Sequence, residues 1–314
     1  MRGFCPIGQP IGRRRSAGVI LFTWRIIPAA AAILAPAAIF ALALGHASMP
    51  ATLPLPIPDL VELQPGTFDH RAAGEFSRDG KPTAAPVVTT AIKRTLAVMR
   101  HQVTVADYQR CVEAEACQVV DRDAAAPGLP MVKVSWRDAH AYASWLSRQT
   151  GEQFRLPTDE EWAYAAASRF HDDALPETLD VGDPGQRALA VYDRDASLQE
   201  RFDQAPRPIG SFGANENGLL DVAGNVWEWT NTCYTRNALD ARGEAVTTMV
   251  NCGVRVVEGR HRTYIADFIR DARAAGCSIG MPPSNLGFRL VRDDLRHAQR
   301  LPLAWVRRLV GLQT

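Results

Sequence analysis

RLPTDEEWAYAA, residues 155–166, is the stretch from which the rest of the chain is read. Thr158 followed three residues on by Glu161 forms a capping box, in which hydroxyl and carboxylate each satisfy a backbone amide at the start of a helix. Trp162, Ala165 and Ala166 then recur at helical spacing and give that helix a buried face. Upstream, Val132-Lys133-Val134 reads as a strand, and Ser135 caps a second helix. Ala139, Tyr142, Ala143 and Leu146 make its apolar stripe, and Gly151 ends it in the left-handed position. Further back, Thr104 can cap a short helix with Asp107 in its first turn and a stripe of Val105, Tyr108, Cys111 and Val112.

Outside these helices the pattern is β and loop. Val87–Ile92 and Thr95–Met99 are short β-prone runs. Residues 171–208 are acidic, proline-containing and weakly patterned, a long surface excursion. From Gly213 to about Val291 the chain is rich in Gly and Asn, with short alternating segments. Two capped helices among short strands and long loops predict an α+β domain of irregular type over 60–292.

Composition narrows the function. Lys plus Arg number 35 against 34 Asp plus Glu, so no global field recruits nucleic acid. Residues 1–25 carry Arg2, Arg13, Arg14, Arg15 and Arg25 and no acid, and Ile26–Gly45 has no charge at all. That order is an export signal over 1–47, cleaved before Ser48 or kept as a membrane anchor with its amino end in the cytoplasm. The expected place is the periplasm, free or anchored at the inner membrane. Residues 48–59, with Pro50, Pro54, Pro56 and Pro58, read as a semi-rigid linker. A basic amphipathic tail over 293–314, with Trp305 among Leu301, Leu309, Arg307 and Arg308, can dock on the domain, a partner or a membrane surface.

The cysteines agree with an oxidising compartment. Cys111 with Cys117 and Cys233 with Cys252 are easy local pairs, Cys277 is left over, and no zinc spacing occurs.

Several words of this chain, in order, resemble the formylglycine-generating enzyme (sulfatase-modifying factor) family. They are VTVADY (103–108), PMVKVSWRDAHA (130–141), YASWLSRQT (142–150), RLPTDEEWAYAA (155–166), NGLLDVAGNVWEW (217–229) and NLGFR (285–289). The resemblance implies a C-type-lectin-like fold. It also implies two cysteines that hold copper(I) between an RGGS segment and NLGFR, because soft thiolates select that metal. Here Arg255-Val256-Val257-Glu258 stands for RGGS, and counting back from Asn285 puts the two thiols near Ile265 and Arg260. Neither is a thiol, so copper is not expected and cysteine-based sulfatase activation is not either.

The resemblance also implies a structural calcium at Asn225 and Glu228. In a strand Val226–Thr230, Glu228 points away from Trp227 and Trp229, toward either a Ca²⁺ or a buried partner such as Arg289. The candidate ligand cleft is Arg260, His261, Arg262, Tyr264, Asp267, Arg270 and Arg273. Its arginines suit an anionic ligand or a carboxylate-bearing peptide, or else form an ordinary surface of paired charges. His171-Asp172-Asp173 with His261 could mimic an iron triad but reads as a solvated loop. The expected function is a peptide-, protein- or small-anion-binding accessory domain. The alternative is a periplasmic oxidoreductase on a small peptide-like substrate, or a metal-dependent enzyme, since the family's non-thiol branch includes proteins associated with siderophore maturation.

Overall fold

The computed structural model describes residues 55–120, 126–171, 205–272 and 285–293, with Ala190 and Asp193 besides. The export segment, Arg273, Cys277, and the tail from 294 on lie outside the described residues, as do Asp172 and Asp173. Along the chain come β1 (Leu60–Leu63), β2 (Gly66–Arg71), β3 (Glu75–Arg78), β4 (Lys81–Thr83), β5 (Val87–Ile92) and β6 (Leu96–Met99). Next are α1 (Val105–Glu113), α2 (Trp136–Thr150), β7 (Gln153–Arg155) and α3 (Asp159–Ala166). The chain closes with β8 (Trp227–Leu239), β9 (Ala245–Glu258), β10 (Thr263–Ala266), β11 (Leu286–Gly287) and β12 (Val291–Asp293).

All three α-helices begin with a complete capping box: Thr104 with Asp107, Ser135 with Asp138, and Thr158 with Glu161. Only the box at Thr158 was expected as such; Ser135 and Thr104, expected as simple caps, complete boxes as well. α2 ends at Gly151 with φ 75°, a left-handed conformation that glycine adopts without strain. Among the described helices none is long and apolar enough to cross a membrane.

Two sequence expectations are corrected here. Val132–Val134 is not a strand, because Lys133 takes a positive φ of 58° and breaks the extended run. The segments after Gly213 are not all short, since β8 and β9 are strands of 13 and 14 residues.

β1, β6, β12 and β7 form one antiparallel sheet in that order. A second sheet runs β10-β9-β8-β3-β4, with β11 parallel to the start of β8, and β2 pairs with β5 apart from both. The apolar stripe of α2 packs in the largest core cluster with Trp227, Trp229 and Phe288. Trp162, Ala165 and Ala166 of α3 pack instead with Leu96, Val98 and Val291. Each large side chain buried this way contributes about 1.5–3 kcal/mol. The expected disulfides Cys111–Cys117 and Cys233–Cys252 are both formed, the second tying β8 to β9.

Candidate functional site

β8 alternates as its sequence predicts. Trp227 and Trp229 enter the core, where their indole N–H groups donate to His261 O (3.2 Å) and Val134 O (2.8 Å). Glu228 projects the other way and is filled by donors from three elements. Its Oε1 accepts from Gln102 Nε2 (2.8 Å) and Arg289 Nη2 (2.7 Å), and its Oε2 from Trp162 Nε1 (2.9 Å) and Arg289 Nε (2.6 Å). Asn225 is engaged elsewhere: its side chain closes a two-way bond with the backbone of Arg207.

Of the residues expected to form a ligand cleft, His261, Arg262 and Tyr264 are buried. Arg262 is fully buried, its Nε shared between Asp159 Oδ1 (3.1 Å) and Glu258 Oε1 (2.7 Å) and its Nη1 donating to Arg71 O (2.9 Å). Burial pushes the Glu258 carboxyl well above its ordinary range. Arg262 pulls it back, and a hydrogen bond to Asp159 raises it further. Glu258 Oε2 has no partner, and neither has Nδ1 of buried His70, whose pKa burial lowers.

His261 lies beneath Trp227 with its rings edge-on at 5.5 Å, and Arg260 sits 5.7 Å over the same indole. Gly259 makes that contact possible, since a Cβ there would fall 2.5 Å from Trp227 Cδ1. Tyr264 Oη accepts from Gly74 N (2.8 Å). Asp267 is gripped by Arg137 through two bonds of 3.0 and 3.1 Å, and Arg270 reaches Asp138 in the α2 capping box through two of 2.7 and 2.8 Å. Arg262, Asp267 and Arg270 thus each have an oppositely charged partner.

A different surface remains open beside it. Arg255 lies across the sheet from both Ile265 and Cys233. Its guanidinium sits 4.0 Å over the ring of Trp136, which in turn stacks on exposed His140 at 5.0 Å. Burial lowers the Arg255 pKa against the pull of Asp267, and its Nε is buried with no hydrogen-bond partner. Phe268, next to Asp267, is 61% exposed. Arg255 Nη1 donates to Asn231 O at 2.8 Å, so what the arrangement offers an anionic group is the rest of a half-buried guanidinium stacked over an aromatic ring. Sequence reading missed this unit. The i,i+4 spacing of Trp136 and His140 was a visible signal, but nothing in the sequence brings Arg255 to them.

Residues 46–294 match the family described as the sulfatase-modifying factor enzyme 1-like domain. The chain belongs to that family. A formylglycine-generating enzyme of Mycobacterium tuberculosis is 41% identical over 54% of this chain and 58% of its own length. One from Thermomonospora curvata is 28% identical over 60% of this chain and 62% of its own. The chain therefore spans about three fifths of the length of these two relatives. The inactive C-alpha-formylglycine-generating enzyme 2 of Mus musculus is 35% identical over 36% of this chain and 35% of its own. PvdO from Pseudomonas aeruginosa is a solved structure similar to 76% of this chain and 95% of its own, at 21% identity and TM-score 0.46.

The metals expected of a sulfatase-modifying factor domain can be weighed against these residues. Glu228 does not fit a calcium ligand: both oxygens are already taken by four N–H groups, and a cation there would face the Arg289 guanidinium. Copper(I) needs two thiolates. Ile265 is 1% exposed in the core and Arg260 caps an indole, and among the described residues every cysteine is in a disulfide. The described residues therefore do not fit copper either. No group of three or more His, Cys, Asp or Glu among them gathers to hold a metal. His171 is exposed while His261 is buried.

Proposed function

We propose that this chain is an exported, binding member of the sulfatase-modifying factor family that does not oxidise a client cysteine. The observation that carries this reading is the pair Ile265 and Arg260. Where two thiols are required, one position is a packed aliphatic group and the other a permanent cation that opposes copper(I). The ligand is an anionic, peptide-like group seated at Trp136 and Arg255. The half-buried Arg255 supplies the charge, and the Trp136 ring supplies apolar contact. Export is supported by the basic lead before an uncharged run of twenty residues, Ile26–Gly45, and by two disulfides in the body.

The test is turnover of a sulfatase-type cysteine peptide by the full chain, in oxygen, with and without copper(I), followed by mass spectrometry. No formylglycine is expected in either condition. Product that disappears in Cys277→Ser overturns the reading, because a thiol outside the described residues would then do the chemistry.

A further inference from the structure

We propose that the disulfide Cys233–Cys252 is a thiol-exchange site, at which a small thiolate attacks Cys252 and Cys233 leaves as a thiolate held by Arg255. Arg255 Nη1 lies 3.3 Å from Cys233 Sγ and also donates to Asn231 O at 2.8 Å. The Trp136 ring, 4.0 Å from the guanidinium, fixes it from its flat side. A permanent cation therefore already stands where negative charge develops on Cys233 when the sulfur–sulfur bond opens.

The two cysteines of this bond are placed unequally. Cys252 is exposed, whereas Cys233 is half-buried. The register of β8 and β9 accounts for the difference. Cys233 pairs with Arg255 and the next residue, Tyr234, pairs with Asn251, so Cys252, Gly253 and Val254 have no partner on β8. Extra residues on one strand bulge out of the ladder. Gly253 follows Cys252 with no side chain to shield it. The other disulfide is closed to a thiolate from solvent, since Cys111 and Cys117 are 0% and 9% exposed.

The exchange balances as follows for each atom. The incoming thiolate forms a new bond to Cys252 Sγ, the bond from Cys252 to Cys233 breaks, and its electron pair stays on Cys233 Sγ. A second small thiolate then attacks the first, which leaves Cys252 as a thiolate and releases a small disulfide. Two thiols are oxidised and the protein disulfide is reduced. Attack falls on Cys252 for two reasons: it is the accessible end, and a sulfur beside a cation is the better leaving group. Arg255 acts through Cys233 and is a positioning residue. The step needs no occupant at the Trp136 ring.

The experiment exposes the full oxidised chain, without denaturant, to glutathione, and quenches in acid before alkylation and peptide mapping. Glutathione is expected on Cys252, with Cys233 alkylated and Cys111–Cys117 intact. In dithiothreitol redox buffers, Arg255→Gln is expected to shift the exchange constant of this bond about tenfold toward the disulfide, about 30 mV for two electrons. Arg255→Lys, which keeps the charge, is expected to shift it less. Glutathione on Cys233 in place of Cys252 overturns the proposal. So does a bond that opens only in denaturant, or a midpoint that Arg255→Gln leaves unmoved. If Arg255→Gln does not fold, the position of glutathione in the wild type decides.

Discussion

Arg289 meets Glu228 in a two-pronged ion pair, Nε to Oε2 at 2.6 Å and Nη2 to Oε1 at 2.7 Å, with side chains 1% and 0% exposed. The two residues are 61 positions apart, one in GNVWEW and the other in NLGFR. Their contact ties the start of β8 to the loop before β12. Gln102 and Trp162 complete the carboxylate's shell, and Arg289 also donates to Leu220 O at 3.0 Å.

Removing one partner leaves an uncompensated buried charge. Glu228→Ala or Arg289→Ala is therefore expected to destabilise the domain by about 3–5 kcal/mol, read from denaturant midpoints. A loss below about 1 kcal/mol would mean that water reaches the pair. Because Glu228 has no oxygen to spare, the melting temperature should be the same in chelator and in millimolar calcium. A calcium-dependent rise that Glu228→Ala abolishes would show the carboxylate turning to a cation.

Glu258 gives the protein a stability that declines as pH rises. Its carboxyl ionises near 4.5 in the unfolded chain and well above that when folded, so the folded state holds the extra proton in between. That contribution is complete below the unfolded value and is lost as pH climbs through the folded one. Glu258→Gln, which keeps an acceptor for Arg262 and a donor for Asp159, should flatten the decline. Urea midpoints between about pH 4 and pH 8 decide it, and identical slopes in both proteins would contradict the raised Glu258 carboxyl.

Asp138 works in the opposite sense. Burial raises its pKa, but hydrogen bonds from Arg270 and Ser135 outweigh this and hold it below the ordinary range. Its contribution is present above the unfolded value and is lost as pH falls through the folded one. Asp138→Ala should cost about 0.5–2 kcal/mol near neutrality through the opened capping box, and the cost should shrink in acid. An undiminished cost in acid would contradict the charged role.

Reduction of Cys233–Cys252 releases a loop spanning 19 positions. The chain-entropy model puts the loss at about 3 kcal/mol. Non-reducing peptide mapping should find this link and Cys111–Cys117. A dominant link from Cys277 to either Cys233 or Cys252 would contradict the pairing.

The local starts of structure were legible in the sequence. Ser135 with Gly151, and Thr158 with Glu161, mark helix ends through bonds spanning a few residues. The alternation Trp227-Glu228-Trp229 told which way Glu228 points. Lys133 was misread because a positive φ at a non-glycine residue leaves no compositional mark. The lengths of β8 and β9 were missed because β8 starts with four buried residues in a row and β9 with nine exposed ones, so neither shows the alternation of a half-buried strand.

What the sequence by itself determined is the family, the helix boundaries and the local disulfides, since each rests on a motif or a short spacing. What only the tertiary structure decided is the partner of each charge. Arg262 reads as a ligand-binding cation until the fold sets it against Asp159, 103 positions away, and Glu228 reads as a calcium ligand until Arg289 closes on it. Arg255 reads only as the first residue of the segment standing for RGGS until the fold lays it over Trp136. A charge in sequence carries only its sign. Whether it is spent on a buried pair or left for a ligand depends on distances between segments far apart along the chain, and Coulomb attraction and desolvation act only once the fold has set those distances.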